Sequence, residues 1–239
     1  MFLKSACRFV LNILCPPACP LCHETVAEPH CLCSDCYAKI HFISGPCCRI
    51  CGQPFEYQPA GGLVCGRCLK KAPHYTMARS VVAYDDFSKP LILALKHGDH
   101  PEMAILLAKF LAQADPTLFR DIDALIGVPL HWTRRFRRMY NQAGLLARAL
   151  GRRKDIPFLP NILIRHHKTE SQGHKTRKQR ESNVHNAFSV RRPEAIKGKR
   201  ILLIDDVMTT GATLNECARV LKRAGAAEVR VLTVYRPLK

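Results

Sequence analysis

Two sets of residues in this chain have types and spacings that could do chemistry. The first is a pair of acids, Asp205 and Asp206, closing the apolar run Ile201–Ile204 and followed by Thr209, Thr210, Gly211, Ala212 and Thr213. Adjacent carboxylates repel phosphate, but they accept hydrogen bonds from vicinal hydroxyls or hold a metal ion. The small, hydroxyl-rich loop behind them does the reverse. Where such a loop opens a helix, backbone N–H groups and the positive helix end favour a phosphate monoester. A diol reader beside a phosphate cradle describes ribose 5-phosphate. Two adjacent Asp on their own are better read as an acidic turn with an N-cap; the whole stretch is what carries the reading.

The second set is four Cys-x-x-Cys pairs: Cys19/Cys22, Cys33/Cys36, Cys48/Cys51 and Cys65/Cys68. Two thiolates separated by two residues reach one tetrahedral ion, and two such knuckles supply four ligands. The simplest pairing is sequential, giving two structural zincs, with cross-braced and nested pairings left open. A redox reading needs a thioredoxin-like βαβ context, which is absent. Cys31 and Cys47 adjoin the knuckles and read as spare packing thiols. Twelve of the thirteen cysteines precede residue 69. With no convincing secretory signal in "MFLKSACRFVLNIL" and no run of 18 uncharged apolar residues, a reduced, cytoplasmic, metal-binding chain is expected, with no transmembrane segment.

These residues need elements to hold them. The 239 residues are 47% hydrophobic, enough for a real core. Residues 1–72 are rich in Cys and Pro, with helix-like spacing only at their start. They read as a double zinc ribbon with an N-terminal helix, which metal would help to fold. Residues 79–239 alternate strand and helix patterns: "RSVVAYD", "IDALIGVPL", "KRILLIDDV" and "EVRVLTVYR" as strands, and "LILALKHG", "MAILLAKFLAQA", "NQAGLLARALGRR" and "TLNECARVLKRAGA" as helices. That alternation implies an α/β domain with a mainly parallel sheet. Ligands of such sheets bind beyond the carboxyl ends of the strands, where Asp205 and Asp206 stand. Residues 166–186 are polar and basic and read as a loop.

The formal net charge is +18. Between His131 and Arg200 stand 19 Lys or Arg against 4 Asp or Glu, so most of the excess sits in that stretch. This charge points to a polyanionic partner, single-stranded DNA or a phosphorylated small molecule. Arg134, Arg135, Arg137 and Arg138, with Lys175, Arg177 and Lys178, are the candidate nucleic-acid contacts; a solvated helix face accounts for the four arginines equally well. His166 and His167 read as basic-loop members rather than metal ligands, and Trp132 as a packing or stacking residue. There is no GxxxxGK[ST] and no GxGxxG after a strand, which sets aside P-loop and dinucleotide-binding readings.

The stretch from Ile201 to Thr213 closely resembles the phosphoribosyl pyrophosphate signature of type I phosphoribosyltransferases: four apolar residues, two acids, four residues, Gly, one residue, Thr. The resemblance implies that Asp205 and Asp206 hold the ribose 2′- and 3′-hydroxyls, and that Thr209, Thr210, Gly211, Ala212 and Thr213 wrap the 5′-phosphate. "IGVPLHWTRRFRRMYNQA" resembles the segment near VPLHxxRxxxRGFNQA of one subgroup, the ComF/GntX-like proteins linked to DNA uptake and utilisation. Met139-Tyr140 replaces the common Gly-Phe there, while Asn141 and Gln142 are kept. The resemblance places Pro129, Leu130 and His131 against pyrophosphate. It also matches Gln172, Arg180 and Asn183 to polar positions of the basic loop, and it covers nearly the whole chain.

Two functions follow from that resemblance. One is a phosphoribosyltransferase of unknown acceptor. Magnesium would bridge the pyrophosphate and ribose hydroxyls, and the basic loop would close over the leaving group. The other is a non-catalytic nucleic-acid-binding protein that keeps the phosphoribosyl site as a sensor or a 5′-phosphate grip. Both include DNA-processing or uptake proteins as partners.

Overall fold

The computed structural model describes residues 16–56, 63–97, 100–130, 140–166 and 186–238. Its centre is a parallel sheet of four strands, β1 (Met77–Ala83), β2 (Ala124–Gly127), β5 (Arg200–Val207) and β6 (Glu228–Arg236), in the order β1-β6-β5-β2. Residues Ile201 to Ile204 of β5 are all buried, as a strand covered on both faces requires. Their side chains alternate. Ile201 and Leu203 enter one core with Leu214, Cys217 and Leu221 of α6 (Ala212–Arg223). Leu202 and Ile204 enter the other with Leu107 and Phe110 of α4 (Met103–Leu111) and Leu146 and Leu150 of α5 (Gln142–Lys154). The result is three layers, with α3 (Lys89–His97) packed beside α4.

Two short strands, β3 (Leu163–Arg165) and β4 (Phe188–Val190), form a separate antiparallel pair. They flank the stretch expected to be a loop and were not anticipated, because three residues are too few to show a period. The strand expected over "IDALIGVPL" is shorter than its apolar run. It stops at Gly127, where a Cβ would lie 2.8 Å from the backbone of Ala143 and Gly144 as α5 begins.

The N-terminal part does not stand apart from the sheet. Around helix α1 (Ser34–Ala38), Ile40 joins the α4 side of the core, and Phe42 packs edge-on against Phe110 at 5.4 Å. Around helix α2 (Gly66–Lys70), Cys48, Cys51 and Cys68 join the α6 side. Between them the chain runs along β1. Ile43 N–H donates to Val81 O (2.8 Å), Ala83 N–H to His41 O (2.9 Å) and Ala78 N–H to Ile50 O (2.7 Å). Gly52, at φ +65°, sits so close that a Cβ would lie 2.4 Å from Ala78 O.

Candidate functional site

Asp205 and Asp206 extend β5 to its carboxyl end, and Asp205 lies in register with Thr233 of β6. Asp206 N–H donates to Asp205 Oδ1 at 2.9 Å, and Lys96 Nζ of α3 pairs with Asp206 Oδ2 at 2.9 Å. Burial pushes the Asp205 carboxyl up to about 8; the charge of Asp206 adds to this, while the Asp206 N–H, Lys96 and Arg165 oppose it. Asp205 therefore keeps its proton to a higher pH than a free aspartate, as crowding by a second acid requires.

Beyond them, Met208 is fully buried and Thr209 exposed. Gly211 takes the left-handed conformation, φ +78°, and opens α6 at Ala212. A Cβ there would lie 2.9 Å from Met208 Cε, the movable end of that side chain, so it is the backbone conformation that calls for Gly. The floor under this loop comes from distant parts of the chain. Tyr75 Oη lies 3.6 Å from where that Cβ would be, Arg67 Nη1 donates to Thr210 O (3.3 Å), and Arg236 Nη1 donates to Cys51 O (2.7 Å) beside Met208 Sδ (3.5 Å).

Pro129 and Leu130 leave the sheet next to this site, since Val128 N–H donates to Ile204 O at 2.9 Å. They line a cavity of about 490 Å³ with Tyr140, Asn141, Arg148 and Arg165. Asn141 Nδ2 donates to Val128 O (3.1 Å), and Tyr140 Oη donates to Leu95 O (3.1 Å), one residue before Lys96. The phenylalanine common at Tyr140 has no hydroxyl for that bond, so this departure ties α3 to α5. The structure thus brings Asp205, Asp206, Pro129 and Leu130 to the ends of adjacent strands, with Thr209 to Thr213 following directly. His131, Arg134, Arg135, Arg137, Arg138, Gln172, Lys175, Arg177, Lys178 and Arg180 lie outside the described residues, as does the N-terminal helix. Lys96, Arg67 and Arg236 were missed. Each is a single basic residue without a motif, placed by packing from another part of the chain.

The eight knuckle cysteines fall into two groups, Cys19, Cys22, Cys33, Cys36 and Cys48, Cys51, Cys65, Cys68, and within each all sulfurs lie within 4.8 Å of one another. Cys22 and Cys33 sulfurs are 3.5 Å apart, and Cys51 and Cys65 sulfurs 3.6 Å. A tetrahedral zinc with bonds of about 2.3 Å needs sulfurs about 3.8 Å apart, so the donor set fits that metal. Backbone N–H groups already point at the sulfurs, from Cys36 to Cys33 Sγ and from Cys65 to Cys48 Sγ, each at 3.4 Å. Burial pushes the Cys48 thiol up, but the N–H groups of Cys51, Cys65 and Ile50 together outweigh it and hold it down to about 7. Cys19 is held to about 6 by Cys22, Cys33 and Leu21 against the same burial. Cys31 stands outside both groups and accepts from Lys109 Nζ at 2.9 Å; Cys47 is also outside them.

The comparisons agree with this architecture. Residues 97–239 match the model of the phosphoribosyl transferase domain, and residues 10–69 that of the double zinc ribbon domain. The chain is 36% identical over 206 residues to competence protein F of Haemophilus influenzae, covering 84% of this chain and 88% of that one. It is 33% identical over 229 residues to the DNA utilization protein YhgH of Escherichia coli K12, covering 93% and 98%. It is 27% identical over 213 residues to competence protein ComFC of Bacillus subtilis, covering 86% and 84%. A parallel sheet ending in a carboxylate pair and its Gly-opened helix, fronted by two tetracysteine clusters, thus has whole-length relatives, and the chain belongs to the phosphoribosyl transferase domain family, in the form with a double zinc ribbon shared by competence and DNA utilization proteins.

Proposed function

We propose that this protein binds phosphoribosyl pyrophosphate with magnesium, and single-stranded DNA, in support of DNA uptake or utilisation in the cytoplasm. The observation that carries the reading is the acid pair at the end of β5 running into the Gly211 turn and α6. Asp205 and Asp206 accept from the ribose hydroxyls, and the backbone of Thr209 to Thr213 holds the 5′-phosphate. Pro129 and Leu130, with His131, border the pyrophosphate. Magnesium, which takes oxygen donors and phosphate oxygens, suits this carboxylate and pyrophosphate set and would neutralise the leaving group. Lys96 is placed to pass from Asp206 to the incoming phosphates. The local excess of Lys and Arg between His131 and Arg200 supports DNA contact.

The test is calorimetry with phosphoribosyl pyrophosphate and magnesium on wild type and on Asp205→Asn with Asp206→Asn. Charge-assisted hydrogen bonds contribute roughly 1.5–3 kcal/mol each. Binding should weaken at least about tenfold in the double variant, with zinc content and DNA affinity retained. Unchanged affinity in the double variant would reduce the stretch to a strand and a capped helix. A sensor without turnover is the second reading, favoured by the Lys96–Asp206 pair: ligand entry must break it, which converts binding into a change of state. Pyrophosphate release with a nucleobase or nucleic-acid acceptor would decide for the transferase.

A further inference from the structure

The second cysteine cluster and the phosphate loop share two guanidinium groups. Arg236 is 1% exposed; its Nη1 donates to Cys51 O and lies against Met208 Sδ, and its Nη2 meets no hydrogen-bond partner. Arg67, on α2 between ligands Cys65 and Cys68, donates to Thr210 O. Among the described residues no carboxylate pairs with either of them. Both act electrostatically on Cys51, and they repel each other.

Two such cations in one place need a counter-charge. Four cysteine thiols without a metal cannot all ionise side by side, and supply at most a fraction of it. Four thiolates around one divalent ion carry a net charge of about −2, which matches two guanidinium groups, and the orphaned Nη2 then has an anionic cluster to face. The first cluster is built differently. Next to its ligand Cys36 in the chain, Tyr37 packs against Phe42 and Phe110 rather than against a charged group. No described arginine is buried beside it, and none links it to the loop.

We propose that Arg67 and Arg236 are positioning residues that couple metal occupancy of the second cysteine cluster to the shape of the phosphate loop, while the first cluster has no such connection. Filled, the cluster holds both guanidinium groups, and they hold Thr210 O and Met208 in place. Emptied, it leaves two repelling cations. Arg67, the more exposed of the two, moves away from Thr210, and the loop opens. The functional consequence rests on the loop being the phosphate cradle proposed above.

The experiment uses the full, zinc-loaded chain and Arg67→Gln, chosen because Arg67 is only half-buried and its loss leaves the core intact. Zinc release to a chromogenic chelator and hydrogen exchange of residues 207–213 are read alongside phosphoribosyl pyrophosphate affinity. Groups that support metal ligands typically contribute 10–100-fold to metal affinity. One of two zincs should therefore leave about tenfold faster, the other at the wild-type rate, and exchange in 207–213 should rise. Arg67→Lys should restore zinc retention, because the charge returns. Release and exchange unchanged in Arg67→Gln would overturn the proposal, as would equal acceleration of both zincs. A wild type that binds no phosphoribosyl pyrophosphate strikes only the functional reading, because zinc release and loop exchange still report on the coupling.

Discussion

Asp205 holds its proton to a higher pH than an ordinary aspartate. Its folded carboxyl titrates near 8, above its ordinary value of 3.8, first because it is buried and then because Asp206 repels its charge. The folded state therefore binds a proton that the unfolded chain has already lost. That contribution to stability is complete below about pH 4 and disappears as pH rises through about 8. Asp205→Asn removes the titration. Thermal melts at pH 6, 7, 8 and 9 should show the wild type losing stability relative to the variant as pH rises, with the largest gap at pH 9. A gap that stays constant across the series would show that Asp205 does not titrate there. The ligand then meets a site in which Asp206 is already paired with Lys96. The acid pair was legible in the sequence because its chemistry is local: a strand end, two acids, a loop and a helix in fourteen residues. Lys96 was not. On its helix it is one basic residue in "LILALKHG", and only the packing of α3 across the strand ends gives it a partner. Arg236 reads in the sequence as the charged end of a strand, yet the zinc ribbon covers it to 1% exposure.

At the scale of elements, the long strands and helices followed from apolar periodicity; spacing offered the sequential cysteine pairing as the simplest of several, and the structure groups the sulfurs that way. The β3–β4 pair did not, since its pairing joins residues 163 and 190 across a polar segment. In the chain those two strands stand on either side of the basic stretch, as β2 and α5 do for the arginine segment. If Arg134, Arg135, Arg137 and Arg138 neutralise DNA phosphates, single-stranded DNA affinity falls steeply with salt. The slope is about 0.7 per phosphate neutralised on a log–log scale. Reversing the four charges together should flatten it by up to about three, as measured by fluorescence anisotropy over a salt series. An unchanged slope would place the DNA surface elsewhere, with the ribbons next in line. The proposed phosphoribosyl pyrophosphate site, built on the sheet, should be affected far less.

The whole molecule is a sheet between two cores, and each zinc ribbon contributes to a different one: Ile40 to the α4 side, and Cys48, Cys51 and Cys68 to the α6 side. The chain joining the ribbons runs along β1, the outermost strand next to β6, through Ile43, His41 and Ile50. That arrangement makes the metal a safeguard against self-association. A bare outer strand such as Met77–Ala83, apolar over most of its length, is a template for pairing with another chain. Stripped of zinc, the ribbons lose the ion that ties their cysteines together, and β1 loses its cover while the rest of the sheet persists. Chelation should then yield concentration-dependent, strand-rich aggregates by light scattering and infrared spectroscopy, prevented by prompt return of zinc. An apo chain that stays dispersed would show that the cover holds without metal. In a zinc-starved cell, the first sign of shortage would be loss of the protein to insoluble material, before any change in the chemistry at its strand ends.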